Sequence, residues 1–196
     1  MLDIYARKRV SRAVDPIARL ARRVGLSPSA ITVLGFLITL TGAVLIGAGE
    51  LAWGCGIVGF GAALDVLDGV LARMTGSESA RGALLDTFTD RLGEVAMWTG
   101  LMYYLSSESE ALLTVIASSG MAASLLIPFL RAKAEGADVT GKGGLMGRAE
   151  RIIVFCLGVG LEGFGLPTLE WGVWILTGLV WLTAAQRFVR TWRQIV

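Results

Sequence analysis

Six stretches of apolar sequence, at about 29–49, 51–72, 83–105, 111–130, 149–166 and 170–188, follow one another with only short polar connections. A helix of about 20 apolar residues covers the roughly 30 Å of hydrocarbon in a bilayer. Backbone polar groups in lipid must be satisfied within the chain, which leaves helices or closed barrels. Stretches this long and this continuous predict helices. With 54% hydrophobic residues and a mean hydropathy of +0.66, a large water-soluble helical core is disfavoured. The expected fold is therefore an all-α integral membrane protein with six transmembrane helices.

The basic residues fix its orientation. All 18 Lys and Arg fall before the first span, in the second connection and the adjoining ends of its spans, in and around the fourth connection, or at the end of the last span. The other connections, "GAGEL", "SSESEA" and "LEGFGLPTLE", contain no base. The positive-inside rule then places both termini in the cytoplasm of a multi-pass cell-membrane protein.

Residues 1–24 read as a juxtamembrane amphipathic helix, with Val10, Val14, Ile17 and Ala21 on one face and arginines on the other. Residues 25–196 form the six-helix bundle, so 1–196 is one domain. "GLSPSAIT" marks the break before the first span, with Ser27 or Ser29 as its cap. The basic N-terminus lacks the apolar core of a cleavable signal peptide. Cys55 and Cys156 lie in separate spans and read as packing residues, not a disulfide or metal site. The absence of His excludes imidazole catalysis and the common zinc sites. The glycine-rich fourth connection, "RAKAEGADVTGKGGLMGRAER", reads as a mobile cytoplasmic loop.

Acids at membrane depth are expensive and mark function. Asp65 and Asp68 end the second span, three residues apart; Asp86 and Asp90 begin the third, four apart. Each pair shares a helix face. The two spans are antiparallel and closely joined, so the pairs can face each other at the cytoplasmic interface. Four carboxylates need cations, and oxygen-only ligands suit two hard divalent ions, Mg²⁺ or Mn²⁺. Two-metal sites recur in displacement at phosphorus. Gly69, Gly82 and the fixed cation Arg73 complete a setting for phosphate.

The pattern D-x-x-D-G-x-x-A-R followed by G-x-x-x-D-x-x-x-D is supplied by Asp65, Asp68, Gly69, Ala72, Arg73, Gly82, Asp86 and Asp90. It resembles the signature of the CDP-alcohol phosphotransferases. That resemblance implies six transmembrane helices, a homodimer, a cytoplasm-facing cavity and a CDP-lipid donor. It implies one metal held by Asp65, Asp68 and Asp86, a second held by Asp65, Asp86 and Asp90, and Asp90 as general base. Gly69, Arg73, Ser79 and the stretch Ser29-Ala30-Ile31-Thr32 would contact the CDP part of the donor. Ser29 stands where relatives often have Asn or Asp.

"LRAKAEG", "GRAER" and "AAQRFVRTW" resemble stretches of prokaryotic phosphatidylinositol-phosphate synthases, which use inositol 1-phosphate. Gly147 stands where relatives often have Glu. A phosphorylated polyol needs cations, and Arg131, Lys133, Arg148, Arg151 and Arg187 all fall at cytoplasmic ends of the last three spans. They are the expected acceptor site. Glycerol 3-phosphate, giving phosphatidylglycerol phosphate, and an archaeal-type ether-lipid donor remain alternatives within the family. A cation transporter is the alternative of another class, disfavoured because the acids cluster at one membrane edge and no inverted repeat is visible. No feature points to nucleic acid.

Overall fold

The computed structural model describes Arg19, residues 25–141 and residues 143–195. The amphipathic helix expected over 1–24, with Val10, Val14, Ile17 and Ala21, lies outside the described residues. Six α-helices follow in chain order: α1 Pro28–Gly47, α2 Leu51–Thr75, α3 Ala80–Ser107, α4 Ala111–Glu135, α5 Arg148–Gly160 and α6 Leu169–Trp192. A 3₁₀ turn, Glu162–Phe164, prolongs α5. No strand occurs among the described residues.

Four of these helices, α1, α2, α4 and α6, are long and apolar enough to cross a membrane. The chain is accordingly an integral membrane protein. The other two differ for physical reasons. Helix α3 has 28 residues but carries Asp86, Asp90, Arg91 and Glu94. Helix α5 has 13 residues, about 20 Å at 1.5 Å per residue, and needs its 3₁₀ extension to approach the width of the hydrocarbon.

Short connections make successive helices antiparallel. Helix α1 packs on α2 and α3, α2 on α5, α3 on α4, and α4 and α5 on α6. Small residues bring the first pair close. A Cβ on Gly42 would stand 2.7 Å from the Gly54 carbonyl oxygen, and one on Gly54 2.6 Å from Ile46 Cγ1. This is the small-residue contact by which helices associate in lipid, where burial alone supplies little force. The main core joins α2 to α6, with Trp98 edge-on to Phe155 at 5.9 Å. A second cluster, Ile31, Leu67, Val70 and Leu71, fixes the start of α1 to the end of α2.

Local signals set the ends. Ser27 caps α1, its Oγ accepting from Ala30 N at 3.2 Å, and Pro28 occupies the first turn. Ser79 caps α3 in the same way through Gly82 N. Helix α2 stops at Gly76, whose φ of 63° is left-handed, as Ser77 N returns to the Ala72 carbonyl.

The fourth connection differs from the expected mobile loop. Leu145 N donates to Gln186 Oε1 at 2.9 Å, Met146 N to Thr183 Oγ1 at 3.2 Å, and Gln194 Nε2 to the Thr140 carbonyl at 3.2 Å. These bonds tie it to α6 and to Gln194 just beyond that helix. Both cysteines are free thiols, and Cys156 Sγ donates to the Cys55 carbonyl at 3.4 Å, which agrees with packing residues.

Candidate active site

Antiparallel helices bring the start of α1, end of α2, start of α3, end of α4, start of α5 and end of α6 to one end of the bundle. The four aspartates sit there. Asp68 is 5% exposed, and its Oδ2 accepts from Thr32 Oγ1 at 2.5 Å. Asp65, Asp86 and Asp90 are partly buried. Arg148 Nη1 stands 2.5 Å from Asp65 Oδ2 and 2.7 Å from Asp90 Oδ1, so one guanidinium nitrogen bridges a carboxylate of α2 and one of α3. A Cβ on Gly35 would meet Asp65 Oδ1 at 3.0 Å; α1 therefore approaches the site closely.

The donor set fits hard divalent ions. Every candidate ligand is a carboxylate oxygen, and two of them already converge on a single positive centre. As placed, no three acidic, His or Cys side chains among the described residues form a coordination cluster. The Arg148 guanidinium takes the position between Asp65 and Asp90 that a shared cation would need.

Beside the aspartates lies a cavity of about 440 Å³. Its wall includes Ser29, Thr32, Asp68, Gly69, Arg73, Ser79 and Asp86, with Ser27, Ser77 and Glu78 at the loop side. The expected donor contacts are thus gathered around one space, with two exceptions. The Ile31 side chain, 2% exposed, packs into the α1–α2 cluster, and Ala30 is exposed away from the cavity wall. Arg73 lies back over Gly69, within 3.6 Å of where a Cβ would be.

The five expected acceptor residues have different surroundings. Arg148 pairs with Asp65 and Asp90. Arg151, 3% exposed, pairs bidentately with Glu94, Nε to Oε1 at 2.7 Å and Nη2 to Oε2 at 3.0 Å. Arg187 donates Nε to the Gly143 carbonyl at 2.8 Å and Nη1 to the Ile127 carbonyl at 3.1 Å. It interacts electrostatically with Arg151, Arg131 and Arg91. Arg131 pairs with Glu135 at 2.8 Å on the surface. Lys133 is exposed, its Nζ 5.9 Å from the Phe129 ring centroid.

Two charged residues were not expected. Glu94 accepts from Arg151, from Ser124 Oγ at 2.8 Å and from Arg91 Nη1 at 2.7 Å. The Asp86–Asp90 spacing, continued by one more step of four, lands on Glu94 and would have found it. Arg91 gives no such signal.

Residues 25–188 match the family model described as CDP-alcohol phosphatidyltransferase. The chain belongs to that family. Its fold and donor-side motif are therefore those of a family of transferases. It is 34% identical over 197 residues to phosphatidylinositol phosphate synthase of Mycobacterium tuberculosis H37Rv, covering 97% of this chain and 91% of that one. Identity to the corresponding synthase of Corynebacterium glutamicum is 33% over 193 residues, covering 96% and 88%. The crystal structure of the M. tuberculosis enzyme with CDP-DAG bound superposes with a TM-score of 0.86 at 33% identity, covering 92% of this chain and 94% of the other. A second structure of that enzyme, in complex with manganese and citrate, also gives 0.86 and covers 91% and 88%.

Proposed function

We propose that this chain is a phosphatidylinositol phosphate synthase. It transfers a phosphatidyl group from a CDP-lipid such as CDP-diacylglycerol to inositol 1-phosphate and releases CMP. One observation carries the reading: four aspartates, a cavity of about 440 Å³ and arginines from three further helices meet at one end of the bundle. The similarity to synthases of this kind, one of them bound to CDP-DAG and one to manganese, supports the choice of donor, metal and acceptor.

In this reading all six helices span the membrane, with the site and both termini on the cytoplasmic side. Alternating antiparallel packing and the placement of the bases support it. The homodimer implied by the family resemblance belongs to the same reading.

Asp65, Asp68, Asp86 and Asp90 would hold two Mg²⁺ or Mn²⁺ ions, which supply charge neutralisation at the pyrophosphate oxygens. Ser29, Thr32, Gly69, Arg73 and Ser79 line the space for the CDP moiety. The acceptor hydroxyl forms a new P–O bond at the lipid-side phosphorus while the bond to the CMP oxygen breaks. Asp90 takes the hydroxyl proton. The arginines around Arg187 orient the phosphate of the acceptor.

The test is CMP release by purified protein given CDP-diacylglycerol and Mg²⁺, with inositol 1-phosphate, glycerol 3-phosphate, serine or free inositol in separate reactions. Release is expected to be fastest with inositol 1-phosphate and to stop in EDTA. Preference for glycerol 3-phosphate would overturn the acceptor, and full activity in EDTA would overturn the metal.

A further inference from the structure

Glu94 lies on α3 one turn beyond Asp90 and is 4% exposed. Its carboxylate is saturated. Oε1 accepts from Arg151 Nε at 2.7 Å and Ser124 Oγ at 2.8 Å; Oε2 accepts from Arg151 Nη2 at 3.0 Å and Arg91 Nη1 at 2.7 Å. Four hydrogen bonds fill the four lone-pair sites of a carboxylate. Their donors come from α3, α4 and α5, so one side chain sets the relation of three helices at this depth.

The acids in this knot are shared among several guanidinium groups. Glu94 is shared by two guanidinium groups, and the second acid near Arg91, Asp90 at 3.7 Å, is itself shared with Arg148. Arg187 stands in the same field, and its guanidinium donates to the backbone carbonyls of Gly143 and Ile127. Arg91 Nε is buried and has no hydrogen-bond partner. Buried donors in folded proteins find partners. A region where Arg91 and Arg151 share Glu94 beside Arg187, with one open guanidinium donor, is suited to an anion.

We infer that Glu94 is a positioning residue for the acceptor, holding Arg91 and Arg151 where they present their charge to the phosphate of the incoming alcohol. The inference rests on the proposed reading that a phosphorylated acceptor binds among these arginines. Without Glu94, the buried Arg151 would lose its acid and Arg91 would keep only the longer 3.7 Å contact to Asp90, leaving the two guanidinium groups to repel each other. The donor cavity is built from other residues, on the α1–α3 side, and should be little affected.

Full-length Glu94→Gln and Glu94→Asp enzymes test this by separate titration of inositol 1-phosphate and CDP-diacylglycerol. In Glu94→Gln the kcat/KM for the acceptor is expected to fall about 10- to 100-fold, the scale of one charge-assisted hydrogen bond, mainly through KM. The KM for CDP-diacylglycerol should stay within about threefold, and Glu94→Asp should recover part of the loss. Mn²⁺ binding without substrates should be unchanged. Equal loss toward both substrates would make Glu94 a purely structural tie and overturn the inference. So would an unchanged acceptor KM.

If Glu94→Gln does not fold, Ser124→Ala removes one of the four bonds and keeps the charge. It should raise acceptor KM selectively by about 2- to 10-fold, and an unchanged KM overturns the inference. The wild-type comparison of acceptors separates the two levels. Preference for another phosphorylated alcohol overturns the choice of inositol 1-phosphate, and Glu94 is then judged with that alcohol. Use of unphosphorylated alcohols alone overturns both.

Discussion

Arg148 puts one nitrogen within hydrogen-bond reach of both Asp65 and Asp90, and its Nε is buried without a partner. A fixed cation there lowers the repulsion among the aspartates in the metal-free protein. It must also compete with any divalent ion for the same oxygens. Arg148→Ala is therefore expected to bind Mn²⁺ roughly tenfold more tightly in the absence of substrates, as read by EPR of free Mn²⁺. In EDTA the same variant should melt at a lower temperature than wild type. Weaker Mn²⁺ binding would show that Arg148 supports the metal site. Asp90→Asn tests the proton acceptor: CMP release should drop about 10²- to 10⁴-fold while CDP-diacylglycerol still binds. The aspartates were legible because spacings of three and four define a helix face within one short segment. The role of Arg148 was not, because its contact to Asp65 spans 83 positions and depends on how α5 packs. Its charge alone suggested an acceptor contact, an expectation that its pairing with Asp65 and Asp90 does not test.

At the level of helices, the six expected apolar stretches coincide with α1 to α6 to within a few residues at most ends, since apolar length and capping are local properties, while four of the six are long and apolar enough to cross a membrane. Helix α5 is the shortened case: the stretch expected over 149–166 breaks at Gly160 into a 3₁₀ turn. The ties of the fourth connection are not legible in its glycine content, which speaks of conformational freedom; they come from Thr183 and Gln186 of α6 and from Gln194 just beyond it. The glycine contacts of α1 and α2 were likewise invisible before the pairing of helices was known. Gly54→Val should cost about 1–3 kcal/mol through overpacking. It should also loosen donor binding, because α1 carries Thr32 to Asp68. A thermal melt paired with a CDP-diacylglycerol titration checks both; unchanged stability would mean the helices can separate without cost.

For the whole molecule, orientation is the testable property. In a Cys55→Ala, Cys156→Ala background, single cysteines at Ser77 and Gly136 mark one end of the bundle, and one at Ser109 marks the other. A membrane-impermeant maleimide added to intact cells should label Ser109→Cys and spare the other two until the cells are opened. The reverse pattern would invert the proposed topology. The charges that make α3 a poor solitary span also impose a timetable on its biogenesis. An Asp or Arg at the centre of an inserting helix costs about 2.5–3.5 kcal/mol. Arg91 on α3 itself answers Glu94, but the second cation, Arg151, resides on α5, 57 positions further along the chain. At about 5–20 residues per second, the ribosome delivers it roughly 3–11 s later. In the reading in which all six helices span, α3 waits through that interval with Arg91 as the one guanidinium on Glu94, and the knot closes only when α5 arrives.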